Sequence, residues 1–255
     1  MIIDGRKMAS EILARAKTRA QKLERRPNLL VYVAPDETPA TRSYLKIKAR
    51  SAEASGCDFE ETRSLTISSR ADAVIVQLPL PDEINTADVL NSIPIQQDAD
   101  VLSRTSRAKF ENGEKDALLP PVVGAVREIF IQNKIGPKGK RAVVIGDGWL
   151  VGNPCAKWLA QQGAEVEVVT LESGNLTAVL RAADIIISGA GSPHLIKPDM
   201  LKQGAVLIDA GTSESGGAIV GDADPSCADK CSIFTPVPGG VGPLAVACLF
   251  NNVVI

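Results

Sequence analysis

Histidine is nearly missing from this chain of 255 residues, which has only His194. One imidazole cannot build a His-rich metal cage. His194 follows a Gly-Ser-Pro turn, with no Ser or Cys placed as the nucleophile of a triad. Aromatic residues are only 4% of the chain, too few for base-stacking platforms, and a formal net charge of -2 gives no bulk attraction to nucleic acid. No apolar run approaches the roughly 20 residues that span a bilayer, and the opening MIIDGRKMASEIL is not a signal peptide. The five cysteines (Cys57, Cys155, Cys227, Cys231, Cys248) lack the spacing of a disulfide framework. Cys227 and Cys231 have no second Cys or His pair to complete a zinc site, and no carboxylate cluster suits a hard metal. The expectation is a cytoplasmic protein with no metal, no nucleic-acid partner and no membrane partner. Its 45% hydrophobic and 23% charged residues are ordinary for a globular chain, long enough for one large core or two smaller ones.

Apolar periodicity predicts an amphipathic helix over 5–26, a buried strand at 29–33, a helix at 41–55 stopped by Gly56, a short strand near 57–61 and a second buried strand at 73–76. A short helix is expected at 86–91, and the polar stretch 98–116 reads as a loop. After a helix at 122–132 the pattern alternates. Strands at 142–145, 166–170, 185–188 and 206–209 are interleaved with helices at 153–162 and 176–182, and an apolar helix, 244–254, closes the chain. Alternation with short loops predicts an α/β fold with a parallel sheet covered on both faces.

The strongest local signal for a nucleotide is AVVIGDGWLVGNP. A buried strand runs into Gly146, Gly148 and Gly152 and then a helix, the context in which backbone N–H groups and a helix N-terminus hold a pyrophosphate. The spacing is one residue longer than the usual fingerprint, and a tight turn in an ordinary sheet is the alternative. Glu172, just beyond the next strand, could bond ribose hydroxyls or face solvent. The small residues at two later strand ends, around Gly189, Gly191 and Thr212, could contact a cofactor. Tyr44 and Lys48 share one face of a helix, as a solvated surface pair also would. Gln77 closes a buried strand, and Asp98 and Asp100 taken singly are ordinary carboxylates. The segment from Pro236 to Pro243 packs three glycines and three prolines into a rigid loop that a flat ligand can approach closely.

Taken together, SYLKIK, VQLPLP, the DAD at 98–100, GDGWLVGNP, GAGSP, VLIDAGT, VGDAD and TPVPGGVGP resemble, almost end to end and in order, the bifunctional methylenetetrahydrofolate dehydrogenase/methenyltetrahydrofolate cyclohydrolase family. The resemblance implies two α/β domains with a cleft between them. These are a folate and catalytic domain over 1–116, on which the terminal helix 244–255 packs, and a Rossmann-type doubly wound NAD(P) domain over 117–243. It implies Lys48 as the catalytic lysine with Gln77 bonded to it, Tyr44 beside the folate ring, Asp98 in catalysis and Asp100 in pterin recognition. Pro238, Gly239, Gly240 and Gly242 would meet the substrate. Gly146, Asp147, Gly148, Val151, Gly152, Glu172, Gly189, Gly191 and Thr212 would meet the dinucleotide. The implied activities are oxidation of 5,10-methylenetetrahydrofolate and hydrolysis of the methenyl product to 10-formyltetrahydrofolate, in one-carbon metabolism and purine biosynthesis, by a homodimer.

Four departures stand out. The aspartates sit in Gln97-Asp98-Ala99-Asp100-Val101 instead of Lys-Asp-Val-Asp-Gly, and a Leu-Pro-Pro-Val replaces the usual Pro-Cys-Thr-Pro. The usual Gly-Arg-Ser reads Gly146-Asp147-Gly148 and a common His-Ser reads Thr170-Leu171, which removes positive charge near a 2′-phosphate and leaves NAD open beside NADP. The stretch between Gly56 and Ala73 is too short for the family's usual crossover helix, so a loop or minimal turn is expected at 62–70. The alternatives are a non-catalytic or monofunctional folate- or dinucleotide-binding relative, and a shikimate-type dehydrogenase of the same architecture. The latter has no use for QLPLP or PVPGGVGP.

Overall fold

The computed structural model describes residues 1–35, 37–64, 71–170 and 172–255, without the side chains of Pro39 and Ala40. The chain divides into two compact units. One holds residues 9–121 and 246–255, the other residues 1–8 and 122–245. The division at 121/122 thus lies a few residues after the expected 116/117. The first eight residues, expected with the folate domain, belong to the second unit: Ile2 bridges to Phe234, and the Ile3 N–H donates to the Phe234 carbonyl at 2.9 Å.

Helix α1 (Gly5–Ala20), whose residues from 9 onward belong to the first unit, stops six residues short of the expected end at Arg26. A three-stranded parallel sheet follows, in the order β2-β1-β3, from β1 (Asn28–Tyr32), β2 (Asp58–Thr62) and β3 (Ala73–Val76). Helix α2 (Pro39–Ser55) crosses from β1 to β2. Thr38 caps its start by accepting from the Thr41 N–H, and Gly56 ends it at φ 75°. The side chains of β1 alternate. Leu29 and Val31 pack with Leu45 and Phe250 on one face, while Leu30 and Tyr32 pack with Leu90, Ile93 and Leu102 on the other. Both faces are therefore covered, as a parallel sheet requires. Residues 65–70, the core of the shortened crossover, lie outside the described residues.

Helix α3 (Thr86–Asn91) falls where periodicity places it, but the expected loop at 98–116 contains a helix, α4 (Arg104–Glu111). Ser103 caps α4 by accepting from the Ser106 N–H at 3.2 Å, and Arg107 and Phe110 bury its inner face. With only two buried turns and an arginine on the inner face, its polar composition hid the helix.

The second unit opens with α5 (Pro121–Gln132). Its five-stranded parallel sheet has the order β10-β7-β6-β4-β5, from β4 (Arg141–Ile145), β5 (Glu165–Val169), β6 (Ile185–Ser188), β7 (Val206–Asp209) and β10 (Ile233–Phe234). Helices α6 (Gly152–Gln161) and α7 (Leu176–Ala182) make the first two crossovers. A hairpin, β8 (Ser213–Ser215) with β9 (Ala218–Val220), and the two-residue β10 are too short to show in the periodicity. Helix α8 (Val241–Val253) closes the chain, and its residues from 246 onward belong to the first unit. Among the described residues no helix is long and apolar enough to cross a membrane.

Candidate active site and dinucleotide cradle

Lys48 stands on the third turn of α2, at the helical spacing that puts it on the same side as the buried Leu45 and Ala52. Its Nζ donates to Oε1 of Gln77 at 2.9 Å, across 29 residues of sequence. Gln77 leaves the buried strand β3 with its backbone N–H on the Tyr32 carbonyl, and its Nε2 donates to the Leu78 carbonyl at 2.9 Å. That second bond fixes the amide, so only its acceptor oxygen faces the lysine. Burial lowers the Lys48 pKa below the ordinary lysine value, and the charge of Asp100 opposes this with a smaller effect. Burial likewise raises Asp100, against the pull of Lys48 and Arg107. Desolvation thus pushes both members of the pair toward their neutral forms. Tyr44, one turn before Lys48, is 39% exposed.

Asp98, given a catalytic part by the resemblance, is bonded to the backbone of its own loop. It is 1% exposed, and its two oxygens accept from the N–H groups of Leu102 and Ser103 at 3.2 and 2.9 Å. Its carboxylate anchors the entry to α4 and so shapes the loop that carries Asp100. Sequence reasoning missed two residues here. Arg107, 2% exposed, sets a positive charge acting on Asp100. Asn252 of α8 donates through one amide to the carbonyls of Ala99 and Leu119, both at 2.9 Å, tying the aspartate loop to the Leu-Pro-Pro-Val segment. An arginine on the apolar stripe of a short helix was the available signal for the first. Asn252 offered none.

In the second unit the three fingerprint glycines do different work. Gly146 has φ 91°, and a Cβ at Gly152 would lie 1.9 Å from the Gly146 carbonyl oxygen, so these two make the turn and the close strand–helix approach. Nothing lies within 4 Å of a Cβ built on Gly148, whose backbone therefore faces open space. This is the division of labour a pyrophosphate cradle needs. Asp147 is exposed on the same turn, and Val151 fills the space beside Gly189. Glu172 is exposed three residues beyond β5, in a turn where the Thr170 N–H donates to Ser173 Oγ at 2.8 Å. Thr212 is exposed beyond β7.

The loop Pro236–Gly240 leaves β10 and closes on itself through the Gly240 N–H and the Pro236 carbonyl at 2.8 Å. Pro238 is exposed, Gly239 and Gly242 have room around them, and Gly240 is buried. Asp209 at the end of β7 is buried beside Asp222, and burial raises its pKa to about 6. The Cys227 and Cys231 thiols are pushed by burial to about 12 and about 11, so they stay protonated. Among the described residues no group of three His, Cys, Asp or Glu is placed to hold a metal ion.

A part-buried lysine on a neutral amide in one unit, and a glycine cradle on a Rossmann-type sheet in the other, fit a two-unit α/β enzyme of the nicotinamide-dinucleotide class. Residues 120–255 match the family model for the NAD(P)-binding domain of tetrahydrofolate dehydrogenase/cyclohydrolase. The Bifunctional protein FolD of Moorella thermoacetica is 36% identical over 273 residues, which cover 99% of this chain and 97% of that one. The crystal structure of the FolD methylenetetrahydrofolate dehydrogenase/cyclohydrolase from Campylobacter jejuni superposes with a TM-score of 0.95 at 32% identity, covering 100% of this chain and 97% of that one. The Trypanosoma brucei enzyme, solved with NADP and an inhibitor, gives 0.92 at 30% identity, covering 99% and 95%. The chain belongs to the tetrahydrofolate dehydrogenase/cyclohydrolase family.

Proposed function

We infer that this protein oxidises 5,10-methylenetetrahydrofolate to the methenyl form with a nicotinamide dinucleotide and hydrolyses the methenyl form to 10-formyltetrahydrofolate. The single observation that carries the hydrolytic half is the 2.9 Å bond from Lys48 Nζ to Gln77 Oε1 on a lysine whose pKa burial has lowered. Water attacks the methenyl carbon, and the neutral amine takes the proton that this water sheds. The bond from that carbon to the ring nitrogen N5 then breaks, and the ammonium returns a proton to N5. A second proton from the hydrated carbon's oxygen goes to solvent, so one proton is released per turnover. Gln77 suits the cycle because an amide oxygen accepts a bond from the amine in either protonation state. Tyr44 and Asp100 are assigned to the folate ring system, and the Pro236–Gly242 loop to substrate contact.

The nicotinamide supplies the hydride acceptor when bound. The chain's part is to hold the dinucleotide on the turns that leave β4, β5, β6 and β7, a task of proximity and orientation. We assign NAD as the preferred dinucleotide. The five turns leaving the carboxyl ends of the sheet (146–151, 170–175, 189–196, 210–224 and 235–243) contain no Lys or Arg, while Asp147 and Glu172 flank the expected adenosine ribose. Arg6 lies near Gly239, beside the exit of β10. In the order β10-β7-β6-β4-β5 that is three strand spacings, about 14 Å, from β4. By family resemblance the protein is a cytoplasmic homodimer, which sedimentation at twice the chain mass checks.

One spectrophotometric assay tests both halves by following the methenyl chromophore as it forms and decays. Lys48→Met is expected to abolish decay, and full retention would remove the lysine from the mechanism. Run with each dinucleotide in parallel, the same assay is expected to give a higher kcat/KM for NAD. A strong NADP preference would refute the charge argument.

A further inference from the structure

The turn between Gly189 and Ser192 was expected to meet the dinucleotide, yet two of its backbone donors are already engaged. The N–H groups of Ala190 and Ser192 both point at Asp222, each at 2.8 Å, on its Oδ2 and Oδ1 respectively. Oδ2 also accepts from Ser188 Oγ at 2.6 Å. Asp222 comes from a segment 34 residues beyond Ser188 in sequence, after the β8–β9 hairpin.

A second carboxylate braces the first. Asp209 Oδ1 accepts from the N–H groups of Gly211 at 2.9 Å and Asp222 at 3.2 Å, and its Oδ2 accepts from Ala223 at 2.8 Å. Both aspartates are buried, at 1% and 0% exposure. Neither has a cation as hydrogen-bond partner in these contacts; their charge is met by hydroxyl and backbone donors. The chain leaves room for them. A Cβ on Gly211 would lie 2.2 Å from the Asp222 carboxyl carbon, and one on Gly221 would lie 2.1 Å from Asp209 Oδ2. Such close packing at two points shows that the pair fixes the backbone.

We propose that Asp222, braced by Asp209, is a positioning residue for dinucleotide binding that sets the shape of the turns 189–192 and 210–212. The inference rests on the dinucleotide reading of this sheet. With the Ala190 and Ser192 amides drawn inward, the outer side of the first turn presents Gly191, at φ 64° with no atom within 4 Å of the missing Cβ. That turn offers a ligand a flat backbone surface and leaves pyrophosphate anchoring to the Gly146–Gly152 turn. Asp222 does its work without touching the ligand.

The test titrates the full chain with NADH and NADPH by calorimetry, which needs no turnover, alongside steady-state kinetics and thermal melts. Asp222→Asn keeps size but exchanges one acceptor oxygen for a donor facing an N–H or a hydroxyl. It is expected to weaken binding of the better nucleotide about tenfold or more and to raise KM for it more than it lowers kcat at saturation. Ser188→Ala removes one donor and is expected to weaken binding about two- to threefold. Unchanged affinity in both variants overturns the proposal. Where Asp222→Asn does not fold, unchanged affinity in Ser188→Ala overturns it alone. If the wild-type chain binds neither nucleotide, the dinucleotide reading fails first and takes this proposal with it, an outcome the wild-type titration reveals by itself.

Discussion

An amine that must trade protons near neutrality has to be kept from the water that would hold its charge. Burial beside a neutral partner holds the Lys48 pKa below the ordinary lysine value, as the proposed hydrolysis asks, and replacing that partner with a charge should undo it. Gln77→Glu keeps the length and the acceptor but sets an anion on the ammonium, which favours the protonated form. Its methenyl-folate hydrolysis is expected to fall at about pH 7 and to recover partly as pH rises, read as an upward shift of the acidic limb of the rate profile. Stability changes in a related way. A base with a lowered folded pKa binds fewer protons folded than unfolded, so its contribution improves as pH rises through the folded value toward the unfolded one, about 10.4. Lys48→Met should remove that slope from the melting temperature. At this scale the sequence offered Lys48, Gln77, Asp98 and Asp100 through a resemblance, while the bonds from the Leu102 and Ser103 N–H groups to Asp98 were not legible in it. Whether an aspartate faces a ligand or an orphan amide is decided by chain returning from elsewhere.

At the scale of elements, the glycine turn after β4 depends on how near α6 comes to the strand. Gly152→Ala would force a methyl group to 1.9 Å from the Gly146 carbonyl, a clash only backbone movement can relieve. The variant is expected to lose about 2–3 kcal/mol of stability by denaturant unfolding and to bind dinucleotide more weakly. Strand and helix identities in this unit were legible because β6 and β7 are buried on every residue, β4 on every residue after Arg141, and the loops between elements are short. Helix α4 was not legible. Its eight residues are mostly polar, and it holds through the Ser103 cap, the anchoring by Asp98 and a buried arginine, none of which leaves an apolar period. The hairpin β8–β9 and the two-residue β10 escaped for want of length.

For the whole molecule, pH sets several carboxylates against one another. Asp209, raised to about 6 by burial beside Asp222, binds more protons folded than unfolded. Its favourable contribution is fully present below about pH 4, near the unfolded value, and lost as pH rises through about 6. Asp224, Asp184 and Asp116 are lowered by their hydrogen bonds and act oppositely. Their contributions are present above about pH 4 and lost as pH falls through their folded values. The melting temperature of the wild type relative to Asp209→Asn is expected to fall between about pH 4 and pH 6, and a pH-independent difference would show that Asp209 does not titrate there.

Composition, apolar period and motif order by themselves determined that this chain folds as α/β, that its second half is a parallel sheet with a glycine-rich nucleotide turn, and which family it resembles. All of these are carried by residues close in sequence. Tertiary structure decided the partnerships: Lys48 with Gln77, Asn252 with the aspartate loop, Asp222 with the turn after β6, and the first eight residues with β10. Those pairs are separated by dozens to hundreds of residues, and a hydrogen bond acts over about 3 Å of space whatever the distance along the chain.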